Sequence, residues 1–248
     1  MTNRLLALPI VALLAIGSPG ITWADVFAEA ERAKAAGDYG LAYSLLLPLA
    51  KEGDARAQYR LGKMFAGAHV GKRLHRTIKL KRARYWYEKS AAQNYLPGKR
   101  ALGYHLMVGG IDAMRGYRIL LQLAQAGDAR AQSYLGYFMA IRAKEDYPKR
   151  YRIPGTAAQG LAWMHKSVNQ KDTFAAYALF RYHDRYGPIT DAYFWDLVFG
   201  ALTKTHPLVS TPPLRDELTT KQRLDVERRA AAWLRARGVM PVHVVKTK

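Results

Sequence analysis

The chain contains no cysteine among its 248 residues. That absence excludes disulfides, thiol catalysis, cysteine-ligated zinc and a lipid-modified cysteine, so packing alone has to hold the fold. Carboxylates are scarce as well: 19 stand against 39 lysines and arginines, leaving a formal net charge of +20. An imbalance of that size bears on partners and solubility rather than on fold. It suits polyanions or acidic proteins. Missing too are the H-E-x-x-H, G-x-S-x-G and phosphate-loop patterns that carry metal, acyl and phosphoryl chemistry. His69 and His75 stand six apart in a basic stretch, which is not ligand spacing on a helix. His183 and Asp184 beside Arg185 and Tyr186 read as a solvated charge cluster at a helix end. His105 and His165 read as surface or partly buried histidines within helices. The sequence therefore predicts no enzyme, no cofactor and no metal site.

What is present begins with residues 1–24. One cation, Arg4, precedes an apolar run over residues 5–16; the breakers Gly17, Pro19 and Gly20 follow, then the small residues Thr22 and Ala24. The run is shorter than the roughly 20 apolar residues that span a bilayer. A charged start, an apolar middle and small residues at the end are the layout of a secretory signal peptide. Cleavage after about Ala24 is expected, giving a soluble periplasmic or secreted product with no stable membrane insertion. An exported protein is not expected to meet nucleic acid, despite its charge.

The body of the chain repeats itself. "GDARAQYRLG" over residues 53–62 returns as "GDARAQSYLG" over residues 127–136. Midway, "NYLPGKRALG" over residues 94–103 keeps Leu102-Gly103 where the others have Leu61-Gly62 and Leu135-Gly136. A fixed period of about 20 to 50 residues is the mark of a stacked repeat array. A second helix follows each phrase: "KRARYWYEKSAAQN" over residues 81–94 and "AQGLAWMHKSVNQ" over residues 158–170 share a small residue, a tryptophan three later, and Lys-Ser, while Ile119 takes the tryptophan position in the middle unit. Trp86, Trp163 and Trp195 are read as repeat core. Gly53 and Gly127 fall where one helix ends, and Asp54 and Asp128 where the next is capped. Gly62 and Gly136 cost about 1 kcal/mol each relative to alanine inside a helix. That cost makes sense if a partner helix lays an aromatic side chain over the bare backbone.

These residues, Gly-Asp-Ala-x-Ala-Gln-x-x-Leu-Gly followed by Ala-x-x-Trp-x-x-Lys-Ser, resemble the Sel1-like repeat, a variant of the tetratricopeptide class. The resemblance covers residues 53–170 in three units and thins on either side, where Leu179-Phe180 replaces Leu-Gly. It implies an all-α fold, a right-handed α-solenoid of stacked antiparallel helix pairs. It further implies a protein–protein adaptor or regulator. The expected organisation is a signal peptide over 1–24, a repeat solenoid over 25–204, a linker over 205–220, and a capping helix with tail over 221–248. The apolar side of that last helix is read as Leu224, Ala231 and Leu234.

The departures from the family lie in two insertions, "GAHVGKRLHRTIKLKR" and "RAKEDYPKRYRIPG". Insertions in repeat proteins gather in loops on one face, often the binding face. The first, read as a loop to Arg84, carries Lys72, Arg73, Arg76, Lys79, Lys81 and Arg82 with no carboxylate among them; the second adds Lys149, Arg150 and Arg152. For Tyr147 and Tyr151 of the second insertion, loop packing and partner contact stay open. The bland alternative for the cations is a solvated surface on a protein that is basic throughout. Two functions compete: a non-catalytic scaffold for another, acidic protein, and a binding module for an anionic cell-envelope polymer.

Overall fold

The computed structural model describes residues 22–67, 69–70, 75–109, 111–145, 148, 151–204 and 214–240. All regular structure among them is helical. The chain falls into two compact units, Met1–His105 and Leu106–Lys248. In the first lie α1 (Trp23–Ala35), α2 (Tyr39–Lys51), α3 (Ala55–Ala66) and α4 (Arg76–Ala92); α5 (Leu96–Val108) reaches its end. The second holds α6 (Ala113–Gln125), α7 (Ala129–Arg142), α8 (Ala157–Val168), α9 (Thr173–Tyr186), α10 (Ile189–Thr203) and α11 (Thr220–Arg235). A short 3-10 turn, Leu214–Glu217, precedes α11.

The repeated phrase works as a junction, atom by atom. Gly53 and Gly127 take φ of +107° and +92°, the left-handed turn that ends α2 and α6. Asn94 and Lys171 take that conformation at the alternate junctions, with φ of 60° and 63°. Asp54 and Asp128 then cap α3 and α7, accepting from the N–H of Ala57 at 2.6 Å and of Ala131 at 2.7 Å. Asp172 does the same for α9.

The glutamine of the phrase is buried. Gln58 donates to the carbonyl of Ala50, and Gln132 to that of Ala124, both at 3.0 Å, so each covers an open carbonyl at the end of the preceding helix. The serine of each Lys-Ser pair reaches back to the same junction. Ser90 donates to the carbonyl of Ala55 and Ser167 to that of Ala129. Gln93 and Gln170 then donate to the side chains of Gln58 and Gln132. One short phrase thus ties three successive helices.

Helix pairing follows chain order, α1 on α2, α2 on α3 and α3 on α4 in the first unit. In the second, α6 packs on α7, α7 on α8, α8 on α9, α9 on α10 and α10 on α11. Leu61 and Leu135 are fully buried, and Ala57 and Ala131 beside them. The repeat glycines do permit close approach, with a difference from the expected aromatic cover. A Cβ on Gly62 would fall 2.5 Å from the ring of Tyr87, the residue after Trp86. On Gly136 it would meet main chain instead, the carbonyl oxygen of Gly160 at 2.5 Å. Trp86 and Trp195 are buried; Trp163 is only partly so, packed on the core of Met107, Leu120 and Leu135.

The last unit closes on α11. Val226, Ala230, Ala231 and Leu234 face inward; Ala231 and Leu234 are buried as the sequence suggested, whereas Leu224 is exposed. Trp233 meets Trp195 edge-on at 5.9 Å. Tyr193 of α10 donates to the buried carboxylate of Glu227 at 3.0 Å. Within the segment read as a linker, Leu214 and Leu218 belong to the same core; residues 205–213 lie outside the described residues.

Candidate interaction surface

From Arg76 onward the first basic stretch is helix and not loop. His75 caps α4, its Nδ1 accepting from the N–H of Thr77 at 3.3 Å. Ala83, Trp86, Tyr87 and Ser90 recur at helical spacing and pin the helix to α3. Helical periodicity then fixes where the cations go. Ile78, Lys81, Arg82, Tyr85 and Lys89 lie away from that buried face and are exposed. Arg76 is exposed at the first turn, and Lys79 is half-buried.

Two apolar groups interrupt the charge. Ile78 is 42% and Tyr85 51% exposed, seven residues apart on the same side. Lys89 Nζ sits 5.3 Å from the centroid of the Tyr85 ring, and Arg82 lies 5.6 Å from that of Phe65. Arg84 is engaged by Glu88, the one carboxylate of the helix, at 3.1 Å. The face is thus a row of cations with a tyrosine among them. Such a surface offers charge to an anionic partner and flat apolar area beside it.

Of the nine cations singled out from sequence, α4 brings together Arg76, Lys79, Lys81 and Arg82. Arg152 belongs to the other unit, where it lines a hollow of about 250 Å³ with Arg142 and Glu145. Lys72, Arg73, Lys149 and Arg150 lie outside the described residues, as does Tyr147. Tyr151 packs within its own unit, 5.5 Å from the guanidinium of Arg142. Lys89 was missed, because it sits in the repeat pattern rather than in an insertion; its offset of four from Tyr85 was the available signal.

Two histidines, His105 and His183, are more buried than the sequence suggested, whereas His165 is exposed, within the expected surface or partly buried reading. His105 is 6% exposed, with Nε2 3.0 Å from the carbonyl oxygen of Leu80. Burial holds its imidazole below the ordinary value of 6.5. His183 is likewise held low by burial, its Nδ1 3.8 Å from Asp191. Asp184 instead faces Arg181 at 3.8 Å. Among the described residues, no three histidines, aspartates or glutamates gather closely enough to hold a metal ion.

The described residues are those of an all-helical repeat protein, and the helix-pair organisation expected from the Sel1-like resemblance is present in both units. No family model and no curated protein matches the chain. Among solved structures it is similar to a protective antigen present in uropathogenic Escherichia coli strains, described as displaying an SLR fold. The two are 20% identical with a TM-score of 0.44, and the match covers 91% of this chain and 58% of the antigen. The chain therefore spans under two thirds of that protein's length.

Proposed function

We propose that the protein is an exported, non-catalytic scaffold that binds an acidic protein through the outward face of α4. The observation that carries this reading is the alignment of Lys81, Arg82 and Lys89 with exposed Ile78 and Tyr85 on one helix side. A protein surface offers both acidic groups and apolar contacts, so it uses the whole face; a hydrophilic anionic polymer uses the charges alone. Export is part of the proposal and rests on the pattern of residues 1–24. Among the described residues no helix is long and apolar enough to cross a membrane.

The test compares two sets of four substitutions to glutamine. One set is Arg76, Lys81, Arg82 and Lys89, exposed cations of α4; the other is Lys221, Arg228, Arg229 and Arg235, exposed cations of α11. Capture on immobilised polyglutamate is expected to fall more for the α4 set, with melting temperatures near that of the parent, since exposed charge changes usually cost within about 0.5 kcal/mol. Equal losses would leave only a diffuse basic surface. Tyr85→Ser separates the polymer reading: it should weaken capture of an acidic protein carrying exposed aromatic groups while sparing a purely anionic polysaccharide. Amino-terminal sequencing of periplasmic material should begin at Asp25; an intact Met1 in a membrane pellet would overturn export.

A further inference from the structure

A cleft of about 440 Å³ opens among α1, α2 and α3, away from the exposed face of α4. Its floor is apolar, from Ala30, Ala42, Leu46 and Met64. Its rim is cationic: Lys34, Arg60 and Lys63 face a single carboxylate, Glu31. Glu31 engages two of the three, accepting from Lys34 Nζ at 3.0 Å and from Arg60 Nη1. The lysine hydrogen bond, followed by the charges of Arg60 and Lys34, holds its carboxyl below the usual range. It stays ionised and fixes both cations at the rim. Lys63 differs. Its Nζ lies 5.8 Å from the centroid of Tyr59, and Glu31 acts on it only through space. Among the described residues Lys63 is thus the rim cation that Glu31 does not hydrogen-bond, and three cations against one carboxylate leave the rim net positive.

The wall carries a stacked pair. The rings of Tyr39 and His69 lie 4.2 Å apart and 10° from parallel. His69 follows α3, and its N–H donates to the carbonyl of Met64 at 3.0 Å. Gly67 allows that fold-back, because a Cβ there would fall 2.6 Å from the imidazole. An exposed imidazole laid flat on a tyrosine at the mouth of an apolar cleft occupies the place a planar ligand would take.

We propose that this cleft binds a small organic acid, a monovalent carboxylate on a flat apolar body. The carboxylate lies at Lys63 beside Arg60, the body rests on Leu46 and Met64, and its ring stacks on Tyr39 with His69 as a displaceable cover. A cation is repelled by the rim, and a neutral ring forgoes Lys63.

The test is calorimetric titration with N-acetylphenylalanine, its primary amide and phenethylamine. The acid is expected to bind with a Kd of about 1 mM, the range open to a ligand of that size. It should bind about fivefold more tightly than the amide, with no binding of the amine. Lys63→Gln should erase the difference between acid and amide; Lys51→Gln, exposed on α2 outside the cleft, should leave it. His69→Ala should keep or tighten binding of the acid. The proposal is overturned if the acid gives no signal at about 10 mM, if acid and amide bind alike, or if Lys63→Gln and Lys51→Gln act equally. Unchanged melting temperatures for both variants exclude loss of fold as the cause.

Discussion

Gly62 and Gly136 hold the same place in the repeat but face different obstacles, a tyrosine ring in one case and a glycine carbonyl in the other. A ring can tilt, whereas a carbonyl moves only with its helix. Gly136→Ala is therefore expected to lower the urea midpoint by the equivalent of about 1–3 kcal/mol, the cost of overpacking, and Gly62→Ala by less. An equal or reversed order would mean that α7 and α8 are not held at the contact described. The need for a small residue was legible in Leu-Gly; its reason at Gly136 was not, since the facing Gly160 lies in a stretch read for its tryptophan. Gln58 and Gln132 were equally opaque, because a polar side chain reads as surface until the carbonyl it covers is known. His105 gives a pH dependence. Its folded value is lowered by burial, so between that value and the unfolded 6.5 the unfolded chain binds the extra proton. Its contribution is complete above the unfolded value and is lost as pH falls through the folded one. Denaturant titrations at descending pH should show this loss, and His105→Gln should flatten it.

Helices inherit these details at their ends. Thr22 caps α1 through a reciprocal pair with Asp25, and the same device opens α8 at Thr156 with Gln159 and α11 at Thr219 with Gln222. Cleavage after Ala24 would remove the first of these caps. A chain starting at Thr22 should thus be more stable than one starting at Asp25, by about 0.5–2 kcal/mol, measured by thermal unfolding; Thr22→Ala in the longer chain should abolish much of that advantage. If both chains melt together, α1 gains nothing from its cap. The start of α4 shows where sequence reading stops. From Arg76 to Arg82, Ile78 and Leu80 stand two apart among cations and give no 3.6-residue rhythm, and the buried face becomes evident only from Ala83, Trp86 and Tyr87. The earlier turns are helical because the later ones are anchored, and propagation along an existing helix costs little. Leu224 was misplaced for the opposite reason: an isolated leucine looks like core, yet Val226 and Ala230 set the buried side of α11.

Across the whole molecule, 39 cations against 19 carboxylates set a field that no single pair describes. Like charge opposes compaction, and salt relieves it. Raising ionic strength from about 0.1 M to about 1 M shortens the screening length from about 10 Å to about 3 Å. The melting temperature should rise over that range while capture on polyglutamate collapses; a falling melting temperature would mean that surface ion pairs outweigh the repulsion. Stacking of helix pairs was legible from the period alone, because fixed repetition has few packing solutions. The cleft among the first three helices was not, since its cations sit at unremarkable positions of ordinary helices. The order of helix contacts has a last consequence, for the route to the folded state. Partners within each unit are mostly adjacent along the chain, α1 with α2, α2 with α3, α7 with α8, so little loop entropy stands in the way and assembly is rapid. A polypeptide emerging amino end first through a narrow channel can consolidate α1 against α2 while α11 is still on the far side.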